Sequence, residues 1–211
     1  MPRRGAGCHR VIAGIVLAGG QGLRMGGGDK GLRMLGGMPM LAHVVARVRP
    51  QVAALAINAN GDAARFAGFG LPVVADTVPG QKGPLAGVLA GMRWAAANGE
   101  QDLLTVPTDT PFLPPDLVHR LAEARGGAAV ACAVSGGRLH PVVALWRVAD
   151  ADVLEASLRR GAGRVQGWMR RQGLAEVHFD GPDDPFANIN TPEDLAAAEA
   201  RLGSRSGSLR E

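Results

Sequence analysis

The chain has 211 residues, 46% of them hydrophobic, which is enough to bury one sizeable core and short enough for a single domain. No apolar run approaches the ~20 residues that cross a bilayer, and Met1-Pro-Arg-Arg4 lacks the hydrophobic stretch and cleavage site of a signal peptide, so no membrane partner and a cytoplasmic location are expected. The formal charge of +4 suits anionic ligands, but the basic residues gather in the tails (Arg3, Arg4, Arg10, Arg201, Arg205, Arg210), and with no Tyr and no basic stretch interleaved with aromatics a nucleic-acid partner is not indicated.

In chain order, residues 1–10 read as a disordered polar extension, residues 11–202 as one domain and residues 203–211 as a disordered Ser/Gly/Arg tail. Residues 11–18 are strand-like, 39–48 helical, 53–57 strand-like again, and 71–75 a short strand. Residues 84–97 have helical spacing with Pro84 in the first turn, 102–106 form a short buried strand, and 114–123 a helix with the same kind of proline start. Residues 128–134 and 142–146 look like strands, 150–172 like helix, and 175–179 like a further strand, with antiparallel insertions in this half. The last helix starts on Thr191, Pro192 and Asp194 as N-cap hydroxyl, first-turn proline and acid at the third position, and runs to about Leu202. Alternating strands and helices need crossover connections, so the expected fold is α/β: a three-layer, Rossmann-like sandwich whose mainly parallel sheet carries ligands at the carboxyl ends of its strands. The two cysteines, Cys8 in the extension and Cys132 in an apolar run, make neither a disulfide framework nor a zinc site, and Cys132 reads as a buried thiol.

The most informative segment is Leu17-Ala-Gly-Gly-Gln-Gly-Leu-Arg-Met-Gly-Gly-Gly-Asp-Lys30, directly after the first strand. Its glycines, Gly19 and Gly20 first among them, permit backbone N–H groups to approach phosphate oxygens, while Arg24 and Lys30 bring the charge that offsets a triphosphate as pyrophosphate leaves. A dinucleotide fingerprint fails, because Met25 stands where the third glycine should be, and a P-loop fails, because Lys30 is followed by Gly31. Asp109, in Val106-Pro-Thr-Asp-Thr-Pro-Phe112, follows a strand end, where a single carboxylate suits Mg²⁺ on a phosphate, or else caps the turn. Asn58 and Asp76 end two further strands. Each alone serves equally as a turn cap, but together they offer the donors and acceptors that read a base edge or a ribose.

Leu17-Ala-Gly-Gly with Arg24-Met25-Gly26 and Asp29-Lys30-Gly31, then Asn58-Ala-Asn60, Gly83-Pro-Leu-Ala-Gly87, Asp109-Thr-Pro111, His140-Pro141 and Asn188-Ile-Asn-Thr-Pro192, in that order over residues 11–202, resemble the molybdenum cofactor guanylyltransferases. The resemblance implies a fold of the nucleotide-diphospho-sugar transferase type. It implies transfer of GMP from GTP to the terminal phosphate of molybdopterin, with or without its molybdenum, with Mg²⁺ as cofactor. It implies that Leu17, Ala18, Gly19, Gly20 and Lys30 bind GTP, that Asn58 and Asp76 contact its guanosine, that Asp109 meets both nucleotide and metal, and that Arg24, Lys30 and Asp109 carry the catalysis. On the acceptor side it implies Gly83, His140, Arg164, Asn188 and Asn190. His140, ahead of a proline at a strand start, equally fits a structural histidine, since a phosphate acceptor is already ionised and needs no general base. Trp94, Trp146 and Trp168 read as core. Gln21-Gly22-Leu23 is less basic than the corresponding loop often is. Partners implied are GTP, molybdopterin, and the biosynthetic and acceptor apo-enzymes of the cofactor.

Three alternatives stay open at this stage. Relatives that use CTP carry Leu-Ala-Ala-Gly in the loop, so Gly19 is the one residue that favours GTP. A sugar-phosphate nucleotidyltransferase is the second. A non-catalytic protein that binds and delivers the cofactor is the third, against which Asp109 and Lys30 argue together.

Overall fold

Strand β1 (Ile12–Leu17) is buried at every residue but its last, as a strand covered by helices on both faces must be. The chain is described here by a computed structural model, which covers residues 11–19, 29–78, 83–161 and 164–207. After β1 come the short strands β2 (Met34–Leu35) and β3 (Met38–Pro39), helix α1 (Met40–Val48), and strands β4 (Ala54–Asn58) and β5 (Val73–Val74). Helix α2 (Pro84–Ala97), β6 (Asp102–Pro107), α3 (Leu117–Arg125), β7 (Val130–Ser135) and β8 (Arg138–Arg147) follow, and α4 (Ala151–Arg159), α5 (Val165–Gln172), β9 (Leu174–His178) and α6 (Pro192–Gly207) complete the order.

The main sheet has seven strands in the order β5-β4-β1-β6-β8-β7-β9. Neighbours pair in parallel except at β8, which runs antiparallel to both β6 and β7. Alternate side chains divide the strands between two apolar layers. Val16, Leu55, Ile57, Leu104 and Val106 meet α1 and α3 on one face. Ile15, Ala56, Leu103, Ala144 and Trp146 meet α2, α4 and α5 on the other. The three-layer expectation holds, and Trp146 and Trp168 are both fully buried there with ring centroids 5.9 Å apart. Trp94 packs against the same layer and Cys132 is buried in it, with burial pushing its thiol up to about 12.

Two glycines let α2 lie close to the sheet. A Cβ at Gly91 would stand 2.8 Å from Leu103 and 2.9 Å from Ile15, and one at Gly87 would stand 2.3 Å from Asn58 Oδ1. Register aligns the strand ends: Leu17 lies beside Asn58 on one side and Pro107 on the other, and Asn58 lies beside Val74. The loops that follow therefore leave from one level of one edge.

Several boundaries differ from the sequence reading. Helix α3 starts at Leu117 rather than 114. Pro114 and Pro115 stay outside it, and Gln51 of a distant segment caps it by accepting from the Val118 N–H at 3.0 Å. The helix expected over 150–172 is two helices, because Gly161 at φ +82° ends the first. Strand β8 starts at Arg138, ahead of Pro141: the β7 to β8 register shifts between Cys132 and Val134, so the proline sits in an irregularity where no ladder N–H is required. Helix α6 continues to Gly207, five residues beyond the expected end and into what was read as tail. Its N-cap is as expected, with the Asp194 N–H donating to Thr191 Oγ1 at 3.1 Å. Residues 1–10 and 208–211 lie outside the described residues. No described helix is long and apolar enough to cross a membrane.

At the opposite, amino edge, Asp102 opens β6 with its side chain 2% exposed and accepts from Arg125 through both oxygens, at 2.7 and 2.9 Å. Taking away one partner of such a pair strands a buried charge. Asp102→Ala is expected to lower the unfolding free energy by about 3–5 kcal/mol in urea titration. A loss below about 1 kcal/mol would show that the pair does not anchor this edge.

Candidate active site

The aligned ends of β1, β4, β5 and β6 form the floor of the candidate site. Leu17 closes β1, and the Ala18 N–H donates to the Asn58 carbonyl at 2.8 Å, carrying the parallel pairing one residue past the strand. Ala18 is 8% exposed, whereas Gly19 is exposed and a Cβ there would meet nothing within 4 Å. Gly20 and Arg24 lie outside the described residues.

Lys30 and Asp109 come together across this edge. Lys30 Nζ lies 2.5 Å from Asp109 Oδ2, with both side chains 16% exposed. Lys30 begins a short 3-10 turn (Lys30–Leu32), and the next residue, Gly31, is buried where a Cβ would stand 3.0 Å from the Thr108 side chain. Lacking that Cβ, the turn packs directly on the segment that carries Asp109. Lys30 also donates to Asn190 Oδ1. The 188–190 segment is pinned to the same place by its backbone, because the Ile189 N–H donates to the Asp109 carbonyl at 3.0 Å while the Ile189 side chain is buried with Leu35, Met40 and Phe112. Asp194 accepts from the Asn190 and Thr191 N–H groups at 2.8 and 2.9 Å, and these bonds hold its carboxyl below the usual carboxylate range.

Asn58 and Asp76 are brought together too, but chiefly by bonding each other. Asn58 Nδ2 donates to the Val74 carbonyl at 3.0 Å and to Asp76 Oδ1 at 2.9 Å, and its residue is only 4% exposed. Asn60 completes the arrangement: its Nδ2 donates to Asp76 Oδ2 at 2.8 Å and its Oδ1 accepts from the Asp76 N–H at 2.9 Å. Asn58 thus acts as the buried support, and Asp76, half-buried, presents the carboxylate. Asn60 stood in the motif Asn58-Ala-Asn60, and its side chain proves as involved as that of Asn58.

The acceptor-side residues spread along the same edge. Gly83 caps α2 at φ +116°, a conformation open to glycine alone at little cost. Arg164, exposed, caps α5, whose far end leads straight into β9; the first turn of that helix therefore lies toward the carboxyl edge. Asn188 is half-buried beside Ile189. His140 is 7% exposed, with Nε2 2.7 Å from Ser135 Oγ, which donates in turn to Asp184 Oδ1 at 2.7 Å. Since the Ser135 proton goes to the carboxylate, His140 Nε2 carries the proton it shares with Ser135. Burial holds the imidazole pKa below its ordinary value, against the nearby Asp184 carboxylate and with Arg138. The His140 ring packs 4.9 Å from Phe186. Ser135 and Asp184 had no signal in the sequence, for neither stands in a motif.

One carboxylate atom is left over. Asp109 Oδ1 is buried and has no hydrogen-bond partner among the described residues, although buried oxygens nearly always have one. Among the described residues no three His, Cys, Asp or Glu side chains converge as a protein metal cage. A single hard oxygen of a carboxylate beside a lysine fits Mg²⁺, which takes few protein ligands and completes its shell with phosphate and water.

Residues 14–177 match the MobA-like NTP transferase domain family. A protein of Cereibacter sphaeroides called molybdenum cofactor guanylyltransferase is 55% identical over 90% of this chain and 97% of its own length. One of the same name from Acidiphilium cryptum is 54% identical over 92% and 96%. Among solved structures, molybdopterin-guanine dinucleotide biosynthesis protein A of Archaeoglobus fulgidus superposes with a TM-score of 0.72 at 22% identity, covering 92% of this chain and 99% of the other, and shares the fold. With the family matched over most of its length and relatives this similar end to end, the chain belongs to the MobA-like NTP transferases and, within them, to the molybdenum cofactor guanylyltransferases.

Proposed function

We propose that this protein transfers GMP from GTP to the terminal phosphate of molybdopterin in a Mg²⁺-dependent reaction at the edge formed by β1, β4, β5 and β6. The observation that carries the reading is the Lys30–Asp109 pair, whose Asp109 Oδ1 has no partner among the described residues, two positions past the Pro107 that pairs with Leu17 at the end of β1. A phosphate oxygen of the acceptor bonds to the α-phosphorus of GTP while the bond from that phosphorus to the bridging oxygen breaks, and pyrophosphate leaves with the electron pair. No proton need be removed from an ionised phosphate, which agrees with a His140 whose Nε2 is engaged by Ser135, itself bonded to Asp184. Asp109 is the residue that would hold Mg²⁺, and the ion would supply charge neutralisation at the phosphates.

Lys30 exchanges part of its contact with Asp109 and Asn190 for the triphosphate, with Gly31 keeping it at the required depth. Asp76 takes the guanosine end, oriented by Asn58 and Asn60, while the backbone at Leu17, Ala18 and Gly19 lies along the nucleotide. Gly20 and Arg24 complete the phosphate loop by resemblance. Asn188 and Asn190 serve the acceptor from the segment tied to Asp109, with Gly83 and Arg164 on the same edge. His140 supports that side from within. The absence of a membrane-crossing helix among the described residues is in keeping with a cytoplasmic reaction, and the product would pass to apo-enzymes that use it.

Lys30→Ala and Asp109→Ala are each expected to cut turnover by a factor of about 10²–10³ in a pyrophosphate-release assay, while circular dichroism still reports a folded protein. Full activity in Asp109→Ala would remove the metal assignment. Thermal melts with GTP, CTP, ATP and UTP, with and without Mg²⁺, should show stabilisation by GTP that grows when Mg²⁺ is added. Selective stabilisation by CTP would overturn the guanylyl reading, and indifference to Mg²⁺ would overturn the metal.

A further inference from the structure

Arg65 stands between the two halves of the nucleotide site. It belongs to a 3-10 segment (Ala63–Phe69) that follows β4, and Asp62 caps that segment by accepting from the Ala64 N–H at 2.9 Å. Its guanidinium reaches three ways. Nε lies 2.6 Å from Asp29 Oδ2, off the line of a hydrogen bond and so as a charge pair. One terminal nitrogen donates to the Asn60 carbonyl at 2.7 Å and the other to the Asp62 carbonyl at 3.0 Å. The group rests 4.8 Å over the ring of Phe66, itself 1% exposed. The side chains of Arg65 and Asp29 are 28% and 24% exposed, so solvent does not fully screen the pair.

Each partner leads directly to a residue already placed in the site. Asp29 precedes Lys30, whose ammonium meets Asp109. Asn60 carries the amide that orients Asp76, which Asn58 also holds. A continuous run of contacts therefore passes from Asp76 through Asn60, Arg65 and Asp29 to the backbone of Lys30. Only a planar, rigid fork can hold a carboxylate on one side and two carbonyls on the other.

We infer that Arg65 is a positioning residue for nucleotidyl transfer, fixing Lys30 at the phosphate end in register with Asp76 at the nucleoside end. This rests on the nucleotide site proposed above. Arg65 itself touches no reacting atom. Its loss leaves each end able to bind but lets their separation vary, and the geometry of in-line attack degrades more than affinity does.

The test uses the full chain in a pyrophosphate-release assay with molybdopterin and whichever of GTP or CTP the unsubstituted protein accepts. Failure of the unsubstituted protein with GTP counts against the guanylyl reading alone, whereas the assignment to Arg65 stands or falls on the ratio of variant to parent. Arg65→Met is expected to lower kcat about tenfold with KM for the triphosphate changed less than about threefold. Asp29→Asn should lose a similar factor, and the double variant little more than either single, because both remove one contact. Arg65→Lys, which keeps a charge for Asp29 but not the fork, should recover part of the rate. Retention of kcat within about twofold in Arg65→Met, or losses that multiply in the double variant, would overturn the assignment. So would a fall in kcat matched in Arg65→Met by an equal fall in the folded fraction, with Asp29→Asn unaffected.

Discussion

The ion pair between Lys30 and Asp109 joins positions 79 residues apart, and the order of the whole carboxyl edge follows from holding it. An ammonium and a carboxylate that are both largely withdrawn from water need each other, since either one alone would be a charge without compensation. The chain meets that need from three directions: the turn at Lys30–Leu32 packs through Gly31 onto Thr108, the 188–190 segment bonds Asp109 by its backbone and Lys30 by Asn190, and the cap on α6 fixes Asn190 in turn. A pair gathered so tightly still leaves Asp109 Oδ1 buried and without a partner among the described residues. That is a cost in the free protein and an opening for a cation that arrives with phosphate.

Around this centre the fold acts as a levelling device. Parallel pairing at β1 puts Leu17, Asn58 and Pro107 side by side, so that three loops begin at one height. Gly87 and Gly91 let α2 settle onto the same strands, and Gly87 leaves the space that the Asn58 side chain occupies. Asn58, largely withdrawn from solvent, donates to Asp76 and to the Val74 carbonyl and so aims its neighbour. Strand β8, antiparallel to both its neighbours in the main sheet, carries His140, and β7 carries Ser135; the hydrogen bond between them, continued from Ser135 to Asp184, ties both strands to the 184–186 segment.

Much of this was legible in the sequence because it is written in local patterns. Apolar runs of strand length alternate with helical spacing, and Thr191-Pro-Glu-Asp194 spells out a helix start, so layers, sheet type and most elements followed. The residues at strand ends also declared themselves, since Asp109, Asn58 and Asp76 each interrupt or follow an apolar run with a polar side chain. What was not legible depends on tertiary contact. Gln51 caps a helix 67 residues away in sequence, so the proline pair at 114–115 alone looks like a helix start. Pro141 suggested a strand boundary, whereas a register shift absorbs it. Arg65, Ser135 and Asp184 lie outside any motif and acquire meaning only from what they touch. His140 stands before a proline in the sequence, and only the fold shows that its Nε2 meets Ser135.

One nucleotide site, centred on Lys30 and Asp109, is the claim on which the functional reading depends. A crystal structure of the protein with Mg²⁺ and a non-hydrolysable GTP analogue tests it most directly. The expected result is an ion on Asp109 Oδ1, a phosphate oxygen within hydrogen-bond distance of Lys30 Nζ, and the guanosine beside Asp76. A triphosphate bound away from this edge, with the Lys30–Asp109 pair undisturbed and no ion at Oδ1, would contradict it.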